Sequence, residues 1–189
     1  MDGLSEWQVN WRQRRGWWTA LALIAAAALA VRIVYWAQYV TLPPGQVAVG
    51  ADVMAYDRWA RRILAGQWLW DQIPIHAPLY AYWLAGAYAC TGVSVPAARL
   101  LQQGLDLVSL TLVALALWRL VNARTALICA GLWALYLPLV YYSGELLCEG
   151  LAVALLAGIL ACWAWSFGPG GRGRRRWWPL VLSAFLAGL

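Results

Sequence analysis

Four apolar runs, each about as long as a bilayer is thick, limit this chain before any other feature does. Residues 17–40, 96–121, 124–142 and 144–167 are almost continuously apolar. About 20 residues at 1.5 Å per residue cross a hydrocarbon core of ~30 Å. Inside lipid every backbone N–H and C=O has to be satisfied within its own segment, so each run reads as an α-helix. The chain is 63% hydrophobic and only 12% charged, which suits a bilayer and not a soluble domain. The expected fold class is all-α, with polytopic transmembrane helices and interfacial helices in the first external loop.

The charges assign sides to these spans. All the basic residues are arginine, and the net charge is +6. Most of them flank apolar runs instead of forming a solvated basic face, so the chain is not read as a nucleic-acid binder. Tryptophans cluster at the same run ends (Trp17, Trp18, Trp36, Trp163, Trp165, Trp177 and Trp178), as interfacial rings do. Arg12, Arg14 and Arg15 precede the first span, and Arg119 and Arg124 flank the turn between the second and third. Arg172, Arg174, Arg175 and Arg176 follow the fourth. With alternating spans all three clusters share one face, and the positive-inside rule makes it cytoplasmic. The expected organisation is a cytoplasmic N-terminus (1–16), a first span (17–40) and an external loop (41–95). Spans at 96–121, 124–142 and 144–167 follow, then a cytoplasmic loop (168–178). The apolar run 179–189 reads as the start of a fifth span, and the chain as a fragment. A cleaved signal peptide is the competing reading of the first run, but apolar sequence continues well past Ala28-Leu29-Ala30. The localisation expected is the inner (plasma) membrane, multi-pass.

Within the external loop, residues 52–65 read as an amphipathic helix lying at the membrane surface. Asp52 shares its apolar stripe with Tyr56, Trp59, Ala60 and Ile63, while Asp57, Arg58, Arg61 and Arg62 take the other faces. A carboxylate turned to the apolar side needs a partner or a task, and a catalytic base is one such task. The competing reading is an N-cap on the helix that Gly50-Ala51-Asp52 opens. Residues 78–90 are too short to span and read as a second interfacial or re-entrant helix. The cationic face of Arg58, Arg61 and Arg62 suits anionic lipid head groups.

Polar residues also enter the spans. Arg99, Gln102, Gln103 and Asp106 recur at i, i+3, i+4 and i+7, a stripe that has to face other helices or a cavity. Arg32 lies too deep in the first span to snorkel back, so it faces other helices or reaches outward. Glu145 and Glu149 read as an i, i+4 pair at the outer start of the fourth span. Glu145 is expected to be solvated, and Glu149, one turn deeper, is the better functional candidate. Cys90, Cys129, Cys148 and Cys162 have no metal or disulfide spacing, and His76 is the one histidine. No residue pattern demands a cofactor; a divalent metal stays open but is not indicated. Nucleotide-loop, dinucleotide and HExxH signatures are absent from the sequence.

The order of parts adds a resemblance. DVMAY (52–56), RRILAG (61–66), HAPLYAYWLAG (76–86), AARLLQQGL (97–105) and LPLVYYSGELLCEGL (137–151) follow one another at spacings similar to the N-terminal part of the GT-C glycosyltransferases. That superfamily includes the protein O-mannosyltransferases and the lipid A aminoarabinose transferases. The resemblance covers residues 17–167 and implies sugar transfer from a polyprenyl-phosphate donor to a lipid, glycan or protein acceptor on the extracytoplasmic side. It implies a catalytic role for Asp52, the carboxylate of the first external loop. Tyr56, Arg58, Arg61, Arg62, His76, Arg99 and Glu149 are then expected to bind substrate, with the arginines on the lipid phosphate. The chain has Ala77-Pro78-Leu79 where the family often has Pro-Pro-Leu. The alternatives are a transporter or flippase component, which a Gly/Pro-broken helix inside a span would favour, and a non-catalytic membrane partner.

Overall fold

A computed structural model describes residues 11–41, 50–69, 76–167 and 177–188. Among them every regular element is a helix: α1 (Trp11–Thr41), α2 (Ala51–Leu64), α3 (Pro78–Thr91), α4 (Val95–Leu120), α5 (Ala123–Leu135), α6 (Leu137–Gly144), α7 (Cys148–Phe167) and α8 (Trp177–Ala187). Three of these, in α1, α4 and α7, are long and apolar enough to cross a membrane, and α5 with α6 makes a fourth if the bent pair is one span. The chain is therefore a helical membrane protein by length and composition.

Helix boundaries follow local chemistry. The Ser94 hydroxyl caps α4 by accepting from the Ala97 N–H, and Pro96 sits in the first turn, where its missing N–H costs nothing. Asn122 caps α5 in the same way, accepting from the Thr125 N–H at 2.8 Å. Gly66, at φ +88°, ends α2. There the Gln67 N–H donates to the Arg62 carbonyl and the Gly66 N–H to the Ile63 carbonyl, a closure that needs a left-handed residue.

Two of the expected spans come out differently. The single span at 124–142 is broken at Tyr136, and α5 and α6 meet at 59°. Pro138 cannot donate a backbone hydrogen bond and its ring crowds the carbonyl four residues back, so α5 stops and α6 starts afresh with Pro138 in its first turn. The fourth span begins at Cys148 and not at 144, because Glu145–Leu147 is a non-helical link.

α4 is the central helix, packing on α1, α3, α5, α6 and α7. That position explains why its polar stripe is covered on all sides. Small residues line the contacts: Ala28, Ala114, Ala126, Ala130 and Ala134 form one core with Leu21, Leu110 and Trp17, and Ala157, Ala161 and Ala164 are buried on α7. In lipid, where burial of apolar surface gives no advantage over the acyl chains, close backbone approach through small side chains is a main source of helix attraction. α2 and α3 form a smaller core of their own around Tyr56, Trp59, Ile63, Tyr80, Leu84 and Tyr88, joined to α4 and Leu146. This unit sits at the end of the bundle where α1 finishes and α4 and α7 begin. Trp17 stacks on Trp118 with ring centroids 4.5 Å apart and donates to the Ala123 carbonyl, tying together the opposite end.

Candidate functional site

Two antiparallel stripes meet between α1 and α4. On α1, Arg32, Tyr35, Trp36 and Tyr39 recur at i, i+3, i+4 and i+7, the same spacing as Arg99, Gln102, Gln103 and Asp106 on α4. Arg32, fully buried, donates from Nε to Asp106 Oδ2 at 2.7 Å and from a terminal nitrogen to the Ala28 and Ala134 carbonyls. The other Asp106 oxygen accepts from Trp133 Nε1 at 3.1 Å. About two turns nearer the α2–α3 end, Arg99 grips Glu145 with two hydrogen bonds, at 3.2 and 2.9 Å. The Tyr35 hydroxyl donates to Glu145 at 3.3 Å, and the Arg99 guanidinium lies 3.4 Å over the Tyr39 ring. The Gln102 amide donates to the Tyr142 and Glu145 carbonyls, satisfying backbone freed by the α6–α7 link, and accepts from the Tyr80 hydroxyl at 2.6 Å.

The expected burial of the α4 stripe is met: Arg99, Gln102, Gln103 and Asp106 are all buried. Three other expectations are corrected. Glu145 is not solvated but buried against Arg99, while Glu149 is exposed. The reason is the non-helical link, which takes Glu145 off α7 and turns it inward, so the two glutamates are not an i, i+4 pair on one helix. Arg99 is buried and holds Glu145 with both of its terminal nitrogens. Asp52 is neither apolar-facing nor a cap. Its side chain is 62% exposed, and the N-cap residue of α2 is Gly50. The covered sector of α2 runs over Val53, Tyr56, Trp59, Ala60 and Ile63. Asp52 lies at the edge of that sector and in the first turn, where its charge suits the helix dipole.

Around Asp52 the structure gathers several expected residues. His76 Nδ1 stands 3.9 Å from an Asp52 oxygen, at the outer limit of an ion pair and too far for a hydrogen bond. The His76 and Tyr56 rings are 5.4 Å apart. The Tyr56 hydroxyl accepts from the Ala77 N–H at 3.2 Å. Burial holds the Tyr56 phenol above its ordinary range, and Cys148 and the charge of Glu149 push the same way. Asp52, His76 and Tyr56 thus neighbour one another in turn, with Cys148 packed against the core that holds Tyr56 and Tyr80 edge-on to Tyr56 at 4.7 Å.

The cations expected to complete the site are elsewhere. Arg58, Arg61 and Arg62 lie on the faces of α2 turned away from Asp52. Arg61 donates to Asp57 at 2.9 Å and Arg62 to Gln67 at 2.8 Å. Tyr88 closes the other side of Asp57, its hydroxyl 2.5 Å from Oδ1; burial and that carboxylate together raise the Tyr88 phenol. Arg58 is exposed. Among the described residues no group of three His, Cys, Asp or Glu side chains is gathered to hold a metal ion. The sequence reading did not single out Tyr35 or Tyr39, took Glu145 as solvated, and gave Cys148 no role beyond a small apolar side chain. The matching four-residue stripes on the first two spans were a readable signal for Tyr35 and Tyr39. Nothing in the spacing pointed to Cys148. In comparisons with family models, curated proteins and solved structures, nothing matches this chain.

Proposed function

We propose that this chain is the N-terminal, membrane-embedded portion of a GT-C-type glycosyltransferase. It moves a sugar from a polyprenyl-phosphate donor to a lipid, glycan or protein acceptor on the extracytoplasmic side of the inner membrane, with its N-terminus in the cytoplasm. The observation that carries this reading is how the carboxylates are distributed. Asp57, Asp106 and Glu145 are each engaged by an arginine. Asp52 and Glu149 have no arginine on them among the described residues, and of the two Asp52 is the one beside His76, whose ring neighbours Tyr56.

An open carboxylate can accept a proton. In the reaction an acceptor hydroxyl gives its proton to Asp52 as its oxygen attacks the anomeric carbon. The bond from that carbon to the phosphate oxygen breaks, and the polyprenyl phosphate leaves with the electron pair. Base catalysis of this kind contributes about 10²–10⁴-fold. His76, partly exposed beside Asp52, is the residue proposed to orient the acceptor, with the buried Tyr56 ring packed behind it. No arginine is gathered beside Asp52 among the described residues, so the cation for the leaving phosphate is sought at the head-group level, where the exposed Arg58 is one candidate.

The test is transfer from a polyprenyl-phosphate sugar by the full protein in lipid. Asp52→Asn keeps shape and removes the base, so turnover should fall by about 10²–10⁴ while donor binding holds. Because Gly50 and not Asp52 is the N-cap residue, the substitution forfeits at most the dipole interaction, about 0.3–1 kcal/mol. Wild-type turnover in Asp52→Asn would remove Asp52 from the chemistry.

One observation favours a second reading. The 59° break between α5 and α6 is the kind of discontinuous span that lines substrate paths in transporters. A transporter or flippase component would move its lipid-linked cargo across vesicles equally well with Asn at position 52, and would transfer no sugar.

A further inference from the structure

A groove of about 200 Å³ opens between α4, α7 and α8, lined by Leu112 on α4, Cys162 and Trp165 on α7, and Trp178 and Leu182 on α8. Aliphatic, aromatic and thiol side chains line it throughout. Ordered water needs two to four polar partners, so a groove of this lining suits hydrocarbon. A cation stands at one end of it. Arg119 follows Leu112 by seven residues on α4, so the two share a helix face, ~10 Å apart along the axis. The Arg119 guanidinium lies 5.5 Å from the centre of the Trp165 ring, and its Nε donates to the Ala164 carbonyl at 2.8 Å. That bond uses one of the five guanidinium N–H donors. The terminal nitrogens make no hydrogen bond or ion pair among the described residues. Arg119 and Trp165 both lie in the last turns of their helices, and Trp178 lies in the first turn of α8. These are the ends of apolar helices, where aromatic rings sit at the head-group level.

We propose that this groove holds one acyl chain of an anionic phospholipid, with the lipid phosphate on the terminal nitrogens of Arg119. The Trp165 and Trp178 rings then flank the glycerol level, and the chain runs inward past Cys162 to Leu112 and Leu182. Charge complementarity names the head group. A planar guanidinium holds phosphate through two parallel hydrogen bonds, and a head group without a cation of its own leaves that charge uncompensated. The site lies by Trp118, at the end of the bundle away from Asp52, and does not depend on the glycosyltransferase reading.

Native mass spectrometry of the full chain, released from nanodiscs of equal dioleoyl phosphatidylglycerol and dioleoyl phosphatidylcholine, reads which lipid is retained. The wild-type chain should retain phosphatidylglycerol over phosphatidylcholine by about fivefold, the factor one arginine gives beside an anionic lipid. Arg119→Gln should bring the ratio close to one. Arg124→Gln, which removes an exposed arginine at the same end, should leave it unchanged. Phosphatidylglycerol with a diazirine in its acyl chain locates the chain in the wild-type protein, whatever the variants do to folding. Crosslinks should concentrate on Leu112, Cys162 and Leu182, and should thin out in Leu182→Trp, which fills the groove. Equal retention of the two lipids by the wild type, an unchanged ratio in Arg119→Gln, or crosslinks no denser in the groove than on the exposed faces of α1 and α5 would overturn the proposal.

Discussion

Arg99 and Glu145 show how much a single side chain can matter here. Removing one partner leaves the other charged and enclosed, which costs about 3–5 kcal/mol, whereas replacing both with apolar residues of similar size is often close to neutral. Glu145→Leu should therefore destabilise strongly, and Arg99→Met with Glu145→Leu should recover most of the loss. Thermal unfolding of the single and double variants checks this; additive losses would mean the pair is not coupled. A second prediction concerns alkaline pH. Burial, followed by the Asp57 carboxylate, raises the Tyr88 phenol above its ordinary 10.0. A raised folded-state pKa means the stability is fully present below pH 10.0 and is lost as pH climbs through the folded value. The α2–α3 unit should thus loosen above about pH 10, and Tyr88→Phe should flatten part of that dependence in a pH series of Tm. At this scale the sequence was legible where periodicity fixes a face, as for Arg99, Gln102, Gln103 and Asp106. It misled at Glu145, whose inward turn depends on a three-residue link between helices that no periodicity announces.

The contacts between helices rest on what two glycines leave out. A Cβ at Gly144 would fall inside the Tyr35 ring, with Cδ1 only 2.8 Å away, and one at Gly150 would lie 2.9 Å from Gln102 Nε2. Tyr35 is anchored on Glu145 and Gln102 on two carbonyls, so neither can step aside freely. Gly144→Ala should cost about 1–3 kcal/mol, the usual penalty for overpacking. Tyr35→Leu in the same chain should return part of that by vacating the space. Equal Tm for Gly144→Ala and wild type would show that α1 and α6 are not in this contact. The interfacial helix at 78–90 was legible from length and composition, and α3 runs Pro78–Thr91. The third span was expected to be unbroken, although Pro138 stands beside the break. A proline in an apolar run is compatible with either a kink or a full restart, and the packing of α6 on α1 and α4 accompanies the restart.

Across the whole molecule, the alternation of spans gathers the candidate chemistry at one end. Arg15, Arg119 and Arg124 belong to the opposite end, where Trp17 meets Trp118 and Ala123. The arginines at 172–176 lie outside the described residues, as does the loop at 42–49. Apolar length and charge asymmetry were enough to expect a polytopic helical protein. They could not say which carboxylates are engaged by arginines, because that depends on how tyrosines and arginines from four helices meet. The proposed transfer requires the α2–α3 unit, which carries the exposed Asp52, to lie on the side of the membrane where polyprenyl-linked sugars are presented. The direct measurement is sided labelling of single cysteines at Gln67 and Val121 in intact cells, in a chain freed of its native cysteines, with an impermeant maleimide. Gln67→Cys should react from outside, and Val121→Cys only after the membrane is opened. Labelling of Val121→Cys in intact cells with Gln67→Cys protected would contradict the account.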